Sequence, residues 1–454
     1  MEYSLPRIMI AGTGSGCGKT TVTCAILKAL SDRGLSISAY KCGPDYIDPM
    51  FHEHILDRPS TNLDSFFFDE NTLKWLLVKN GRDCGVGVIE GVMGFYDGLG
   101  MDSTKASSYE ISQITQTPVV LVLNAKGAAL SLLAAIQGFL TFQENNNIRG
   151  VILNQCSAMT YEALSGVILS HFEGRIKPFG YLPPMPECSL ESRHLGLITA
   201  AEIADLDQKI EKLAAQAKKT IDLSGLLELA AKSGTLSCEP LHLPIHQKTV
   251  RIAVAQDKAF CFYYHDNPDM LREMGAEIVP FSPLSDTSLP ENIHGLYLGG
   301  GYPELYAEKL FENISMRKAV FCALQKRIPC IAECGSFMYL TQSIADYPMT
   351  GFFPGSCYNN QKLTRFGYIH LKADCENLLC LEGEEIPAHE FHYWDCTENG
   401  SSFTATKPSG RQWKCGYTDD YLYAGFPHFH FYAKPSAAIR FYEACLHYKE
   451  KQYG

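Results

Sequence analysis

Short apolar, β-branched runs punctuate the first half of the chain at residues 7–11, 36–40, 86–90, 119–124 and 151–154, and stretches with helical spacing fill the intervals. Strands alternating with helices predict βαβ units and a parallel sheet. After Leu182 a proline-rich turn, YLPPMPE, leads into a charged, alanine-rich amphipathic stretch over 200–232, and then into a loop holding Pro240 and Pro244. The pattern restarts beyond that loop, with strand-like 251–255, 277–280, 295–298 and 328–333 separated by helical segments. From 348 to 432 glycine, aromatic residues and short alternating runs predict an antiparallel extension. The chain reads as α/β throughout, with one domain over 1–240, a second over 248–454 and a boundary near 245.

Length agrees with two large domains or three ordinary ones, since 454 residues stand against roughly 150 per domain. A composition of 46% hydrophobic and 20% charged residues excludes disorder. The longest apolar runs, 118–123 and 128–136, fall well short of the roughly 20 residues of a membrane span. The apolar stretch in MEYSLPRIMIAG is too short for a signal peptide, so the expected location is the cytoplasm, away from membranes. With 39 basic against 50 acidic residues the net charge is −11, which lacks the basic footprint of a nucleic-acid partner. Seventeen cysteines without a CxxC pair argue against a disulfide framework or zinc finger and for reduced, buried side chains. One cysteine is the exception.

Residues 12–20, GTGSGCGKT, lie between the first strand and the first helix. Gly14, Gly16 and Gly18 let backbone N–H groups around Cys17 curl about phosphates, Lys19 places a charge on the terminal phosphates, and the Thr20 hydroxyl, followed by Thr21, suits Mg²⁺. Thr13 stands where the strict pattern GxxxxGK[ST] has its first glycine, so this is a variant loop. It predicts ATP binding. Carboxylates past the ends of neighbouring strands face the ligand crevice of such sheets. KCGPDYIDP offers Lys41, Asp45, Tyr46 and Asp48, and VIEGVMGFYDG offers Glu90 and Asp97, with Asp48 and Glu90 favoured over Asp45 and Asp97 as candidate Mg²⁺ ligands.

In the second domain the strand over 327–332 runs into Glu333-Cys334-Gly335 and a helix-like SFMYLTQSI. A thiol at a strand-to-helix elbow is raised above the sheet and favoured as thiolate. Upstream, LGGGYPE supplies Gly300 and Gly301, whose N–H groups suit an oxyanion. Downstream, PHFHF supplies His428 and His430, while His389 and His392 in HEFHYW compete for the role of base.

A nucleotide-activating domain joined to a thiolate hydrolase suggests amide synthesis from glutamine nitrogen. The motifs GTGSGCGKTT, KCGPDYIDPMFH, RPSTNLDSFF, EGVMGFYDG, RHLGLI, DKAFCFYYHDN, FSPLSD, LGGGYPELYAEKL, AECGSFMYL, HEFHYW and HFHF run in order over residues 12–431. Together they resemble the cobyrinic acid a,c-diamide synthase family. The first half is similar to the P-loop parallel-sheet domain of dethiobiotin synthetase and related amidoligases, the second to class I glutamine amidotransferases.

That resemblance implies that Cys334 attacks the side-chain amide of L-glutamine, that His428 is the base, and that Gly300 and Gly301 face the oxyanion. His430 falls where many class I enzymes carry a glutamate, so the usual third member of the triad is expected to be absent. MgATP is expected to phosphorylate the a and c acetate carboxylates of cobyrinic acid near Lys41, Asp45, Tyr46 and Asp97, and ammonia to displace the phosphate. The family pattern also admits a homodimer. Ser336 replaces a glycine of the elbow motif, and its Cβ is expected to crowd the turn. An acidic chain must reverse its charge locally around a polycarboxylate, with Lys41, Arg193 and His194 as candidate counter-charges. Synthases acting on nickel sirohydrochlorin or hydrogenobyrinic acid share every motif quoted. A regulatory P-loop ATPase is the alternative from another class, and it gives Cys334 no use.

Overall fold

A computed structural model describes residues 1–190, 192–193, 196–246 and 249–453, and the chain divides into two compact units, 1–241 and 242–454. Among the described residues no helix is long and apolar enough to cross a membrane.

The first unit is built on a seven-stranded, wholly parallel sheet. Its strands are β1 (Arg7–Gly12), β2 (Ile37–Cys42), β3 (Thr61–Leu63), β4 (Val86–Glu90), β5 (Val119–Asn124), β6 (Ile148–Asn154) and β7 (Lys177–Leu182), in the spatial order β3-β2-β4-β1-β5-β6-β7. Every residue of β1, β2 and β4 is buried, as expected of strands covered on both faces. The chain passes from β1 toward one edge and later returns past it, so the loop after β1 opens at a topological switch point. Register does the rest: Ile10 of β1 lies opposite Glu90 of β4, and Glu90 lies opposite Lys41 of β2.

Helix α1 (Lys19–Ser31) follows the glycine loop and buries Val22, Ile26, Leu27 and Leu30 against the sheet. The amphipathic stretch expected over 200–232 is two helices, α2 (Leu206–Thr220) and α3 (Leu223–Ala230). They part because Ile221 turns extended and bridges Gly180, and Asp222 Oδ1 then accepts the Gly225 N–H at 2.8 Å. Strand β7 carries Pro178 and Gly180, residues that weaken a strand signal but are tolerated at a sheet edge.

The second unit pairs β8 (Val250–Ala255), β9 (Ala276–Phe281), β10 (Gly295–Leu298) and β11 (Cys330–Glu333) with a later strand, Leu422–Gly425, all in parallel, and adds one antiparallel edge strand, Tyr417–Thr418. Glu333, the last residue of β11, is in register with Gly425. A separate five-stranded antiparallel sheet includes Arg365–Ala373, Glu385–His392 and His428–Phe429, the extension that the short alternating runs predict. Its register sets His389 opposite His428.

Candidate active sites

In the first unit the loop between β1 and α1 bends through Gly16 (φ 76°) and Gly18 (φ 95°), left-handed conformations natural to glycine. A Cβ on Gly18 would stand 1.9 Å from Asn154 Nδ2, which donates to the Cys17 carbonyl at 3.0 Å. Lys19 Nζ donates to Gly14 O at 3.1 Å and Met93 O at 2.6 Å, holding the loop closed. Thr20 Oγ1 donates to Glu90 Oε1 at 2.7 Å and lies 3.3 Å from Asp48 Oδ2. Lys41 Nζ bonds Asp48, Glu90 Oε1 at 3.0 Å and Gly91 O at 3.1 Å. The structure therefore brings Thr20, Lys41, Asp48 and Glu90 together, as strand register requires.

Lys41, Asp48 and Glu90 are buried, and their charges compensate. Burial opposes the charge of Lys41, but Asp48 and Glu90 outweigh it and hold the ammonium well above its ordinary range. Burial likewise opposes ionisation of Glu90, and Lys41 and His52 overcome it and pull the carboxyl down. Asp48 is pushed up by burial, with Asp45 and Glu90 adding to the effect. Lys41 is thus paired with Asp48 and Glu90 inside the protein. His194 lies outside the described residues, as does the side chain of Arg193.

Asp45 stands at the head of the helix Ile47–Leu56, its Oδ1 accepting the Ile47 and Asp48 N–H groups at 2.8 and 3.1 Å, with Tyr46 beside it. Asp97 does not join the carboxylates. It is exposed, and its Oδ2 accepts the Gly94 N–H at 2.7 Å, shaping the turn that carries Met93. A cavity of about 550 Å³ opens beside the loop, lined by Gly16, Gly18, Lys19, Thr20 and Thr21 and walled by Asn154, Gln155 and residues 182–186. That is the size of a small-molecule site. Sequence reasoning read the prolines of 183–186 only as a turn, and missed both this wall and His52. The signal for the wall was its place directly after a strand end.

In the second unit Cys334 has φ 49° and ψ −107°, a conformation costly for a side chain bearing a Cβ and typical of a strained nucleophile elbow. His428 hydrogen-bonds Cys334, and its Nδ1 lies 2.9 Å from Glu333 Oε2. Burial disfavours the imidazolium, yet the Cys334 sulfur and the Glu333 carboxylate prevail and hold the His428 pKa at about 10. The expectation that no carboxylate supports the histidine is overturned. The carboxylate comes from the residue before the nucleophile, while His430 Nδ1 accepts the Tyr432 N–H at 3.2 Å and its ring lies 4.9 Å from that of Tyr264.

Neither rival histidine takes the base's place. Burial, followed by the charge of His428, lowers His389 to about 3. His392 stacks on Phe426 at 4.0 Å, gives its Nδ1 proton to Trp394 O at 2.6 Å, and is lowered by burial to about 4.

Two further expectations change. Gly300 donates its N–H to Phe262 O at 3.2 Å, so that N–H is engaged within the chain and not offered to an oxyanion. What Gly300 provides is space, for a Cβ there would stand 2.4 Å from His428 Cε1. Gly301, at φ 154°, holds a backbone conformation that residues with a Cβ rarely adopt, and a Cβ there would also meet the Ala259 carbonyl oxygen at 2.1 Å. Ser336 does not crowd the turn: fully buried, it donates its hydroxyl to Gly299 O and ties the elbow to the glycine loop.

Residues 8–197 match the CobQ/CobB/MinD/ParA nucleotide binding domain, and residues 251–436 the CobB/CobQ-like glutamine amidotransferase domain. The cobyrinate a,c-diamide synthase of Clostridium acetobutylicum is 42% identical over 94% of this chain and 97% of its own length. That of Caldanaerobacter subterraneus subsp. tengcongensis is 39% identical over 98% and 99%, and that of Listeria innocua 38% identical over 96% and 99%. The chain belongs to the cobyrinate a,c-diamide synthase family. Membership joins the two sites in one kind of chemistry, because a nucleotide-binding unit and a glutamine amidotransferase unit make a glutamine-hydrolysing ligase.

Proposed function

We propose that the chain amidates the a and c acetate carboxylates of cobyrinic acid, using ATP and glutamine. The observation that carries this reading is the buried Cys334–His428 pair at a strained elbow, in a chain whose other unit holds a phosphate loop beside Thr20, Asp48 and Glu90. Cys334, as thiolate, attacks the glutamine side-chain carbonyl, and His428 gives its proton to the departing nitrogen. Ammonia leaves, and water hydrolyses the thioester to glutamate.

Backbone N–H groups of residues 14–20 and the Lys19 ammonium hold the ATP phosphates, while the cavity walled by Asn154, Gln155 and the prolines receives the rest of the nucleotide. A substrate carboxylate attacks the γ-phosphorus, ADP departs, and ammonia then displaces phosphate from the acyl phosphate to form the amide. Thr20, Asp48 and Glu90 are hard oxygen donors grouped at the phosphate loop, a set that fits Mg²⁺ held jointly with substrate phosphates. When bound there the ion would offset phosphate charge. The curated relatives' names favour cobyrinate over other macrocycles.

The deciding experiment assays Cys334→Ala with ATP, cobyrinic acid and either glutamine or ammonium. Glutamine-driven amidation disappears and ammonium-driven amidation survives. Retained use of glutamine refutes the nucleophile.

A further inference from the structure

Glu333 is the last residue of β11 and is 2% exposed. A carboxylate removed from water costs several kcal/mol unless paired and hydrogen-bonded, so its surroundings define what it is for. Oε2 lies 2.9 Å from His428 Nδ1, and Oε1 lies 3.4 Å from the hydroxyl of Tyr297. That hydroxyl accepts from Asn267 Nδ2 at 3.0 Å, which leaves its own proton directed at Glu333. Asn267 Nδ2 also donates to Phe429 O at 3.0 Å, and its Oδ1 accepts the Phe431 N–H at 2.7 Å. One amide therefore orients Tyr297 toward the carboxylate and fixes the backbone just after His428. With Nδ1 engaged by Glu333, the other ring nitrogen, Nε2, is the one that meets Cys334.

We propose that Glu333 is the positioning residue of the glutaminase, holding His428 by Nδ1 so that Nε2 faces the Cys334 sulfur. The proposal rests on the reading of Cys334 as nucleophile. The remaining ionisable groups that act on this pair do not substitute for the carboxylate. His389 and His392 are held neutral by burial, and Glu390, raised by burial to about 7, lies 3.9 Å from Arg365. Burial pushes Tyr263, Tyr297 and Tyr423 well above the ordinary phenol range, so they stay neutral. Burial raises the Glu333 carboxyl itself, while its hydrogen bond to His428 and the charge of that ring pull it back down, so carboxylate and imidazolium hold each other as a hydrogen-bonded pair.

Glu333→Gln keeps the volume and removes the charge. Its ammonium-driven amidation is expected within about two-fold of the parent, and its glutaminase kcat at least ~20-fold lower with KM changed by less than about three-fold. The alkaline limb of glutaminase kcat/KM moves to lower pH, because an imidazolium without an adjacent carboxylate releases its proton more readily. Glu333→Asp returns the charge one methylene farther back, restoring the limb and part of kcat. A Gln variant with parental kcat and an unmoved limb overturns the proposal. Should that variant also lose ammonium-driven amidation, Glu333→Asp decides: a reduced kcat with the limb in place supports positioning, and a parental kcat overturns it. Loss of ammonium-driven amidation in both variants overturns it in favour of a structural role. Cys334→Ala, run in parallel, separates the two readings. If it still hydrolyses glutamine the nucleophile assignment has failed, and if it is inert while Glu333→Gln is normal only the positioning role has failed.

Discussion

His52 Nε2 lies 2.8 Å from Glu90 Oε2 while His52 Nδ1 lies 3.0 Å from Ser60 Oγ, so a fully buried imidazole ties the nucleotide-site carboxylate to the residue just ahead of β3. The opposite oxygen, Oε1, takes the bonds from Thr20 and Lys41. His52 thereby sets the plane of the Glu90 carboxylate. His52→Leu fills most of the volume but leaves Oε2 without its donor, at a cost of about 2 kcal/mol for a buried charged acceptor. Amidation is expected to fall about 10- to 100-fold with glutamine and ammonium alike, while glutamine hydrolysis without ATP is kept. Steady-state assays with both nitrogen sources, beside thermal melts, check this. Loss confined to the glutamine-driven reaction would contradict it.

Lys19 closes the phosphate loop by bridging Gly14 O and Met93 O, and both bonds are available for exchange when phosphates enter. Burial lowers its pKa, offset in part by Cys17. Lys19→Ala is expected to reduce amidation at least ~100-fold with either nitrogen source and to leave glutaminase activity measurable. Full amidation in this variant would dismiss the loop as the ATP site.

The parts of these sites that could be read from sequence are those whose residues stand next to one another or at strand ends. The loop at 12–20 is local, and Lys41 and Glu90 announce themselves as charges that close apolar strands, after which parallel register brings them together without further instruction. Cys334 is legible for the same reason. Glu333 is its chain neighbour and yet stayed hidden, because its use depends on His428, 95 positions later. His52 reads as one polar position on a short helix until β4 is packed against it. The engaged N–H of Gly300 depends on pairing with Phe262, a contact between loops that no periodicity encodes.

Gly300 tests the packing of the base directly. Its φ is ordinary, so Gly300→Ala introduces no backbone strain, only a methyl that would stand 2.4 Å from His428 Cε1. The imidazole must shift, and a displacement near 1 Å can cost about 100-fold. Glutaminase kcat is expected to fall by that order, with ammonium-driven amidation within about two-fold of the parent. An unchanged glutaminase would show that His428 can move without penalty.

Acid stability depends in part on His389 and His392, two buried histidines that the glutaminase does not use. Burial lowers His389 to about 3 and His392 to about 4, while each takes up a proton near pH 6.5 once unfolded. Between those values the unfolded chain binds protons that the folded chain refuses, so stability is intact above about pH 6.5 and drains away as pH falls toward 4. At pH 5 each histidine contributes a loss of roughly 2 kcal/mol, taking 1.36 kcal/mol per pH unit. His389→Gln and His392→Gln remove the titrating group whatever they do to packing. The expected result is a smaller fall in Tm between pH 7.5 and pH 5 for each variant than for the parent, measured by calorimetry on the full chain. An equal fall in both variants would mean that these imidazoles accept protons in the folded state, and that the pocket around His428 is wetter at acid pH than its burial implies.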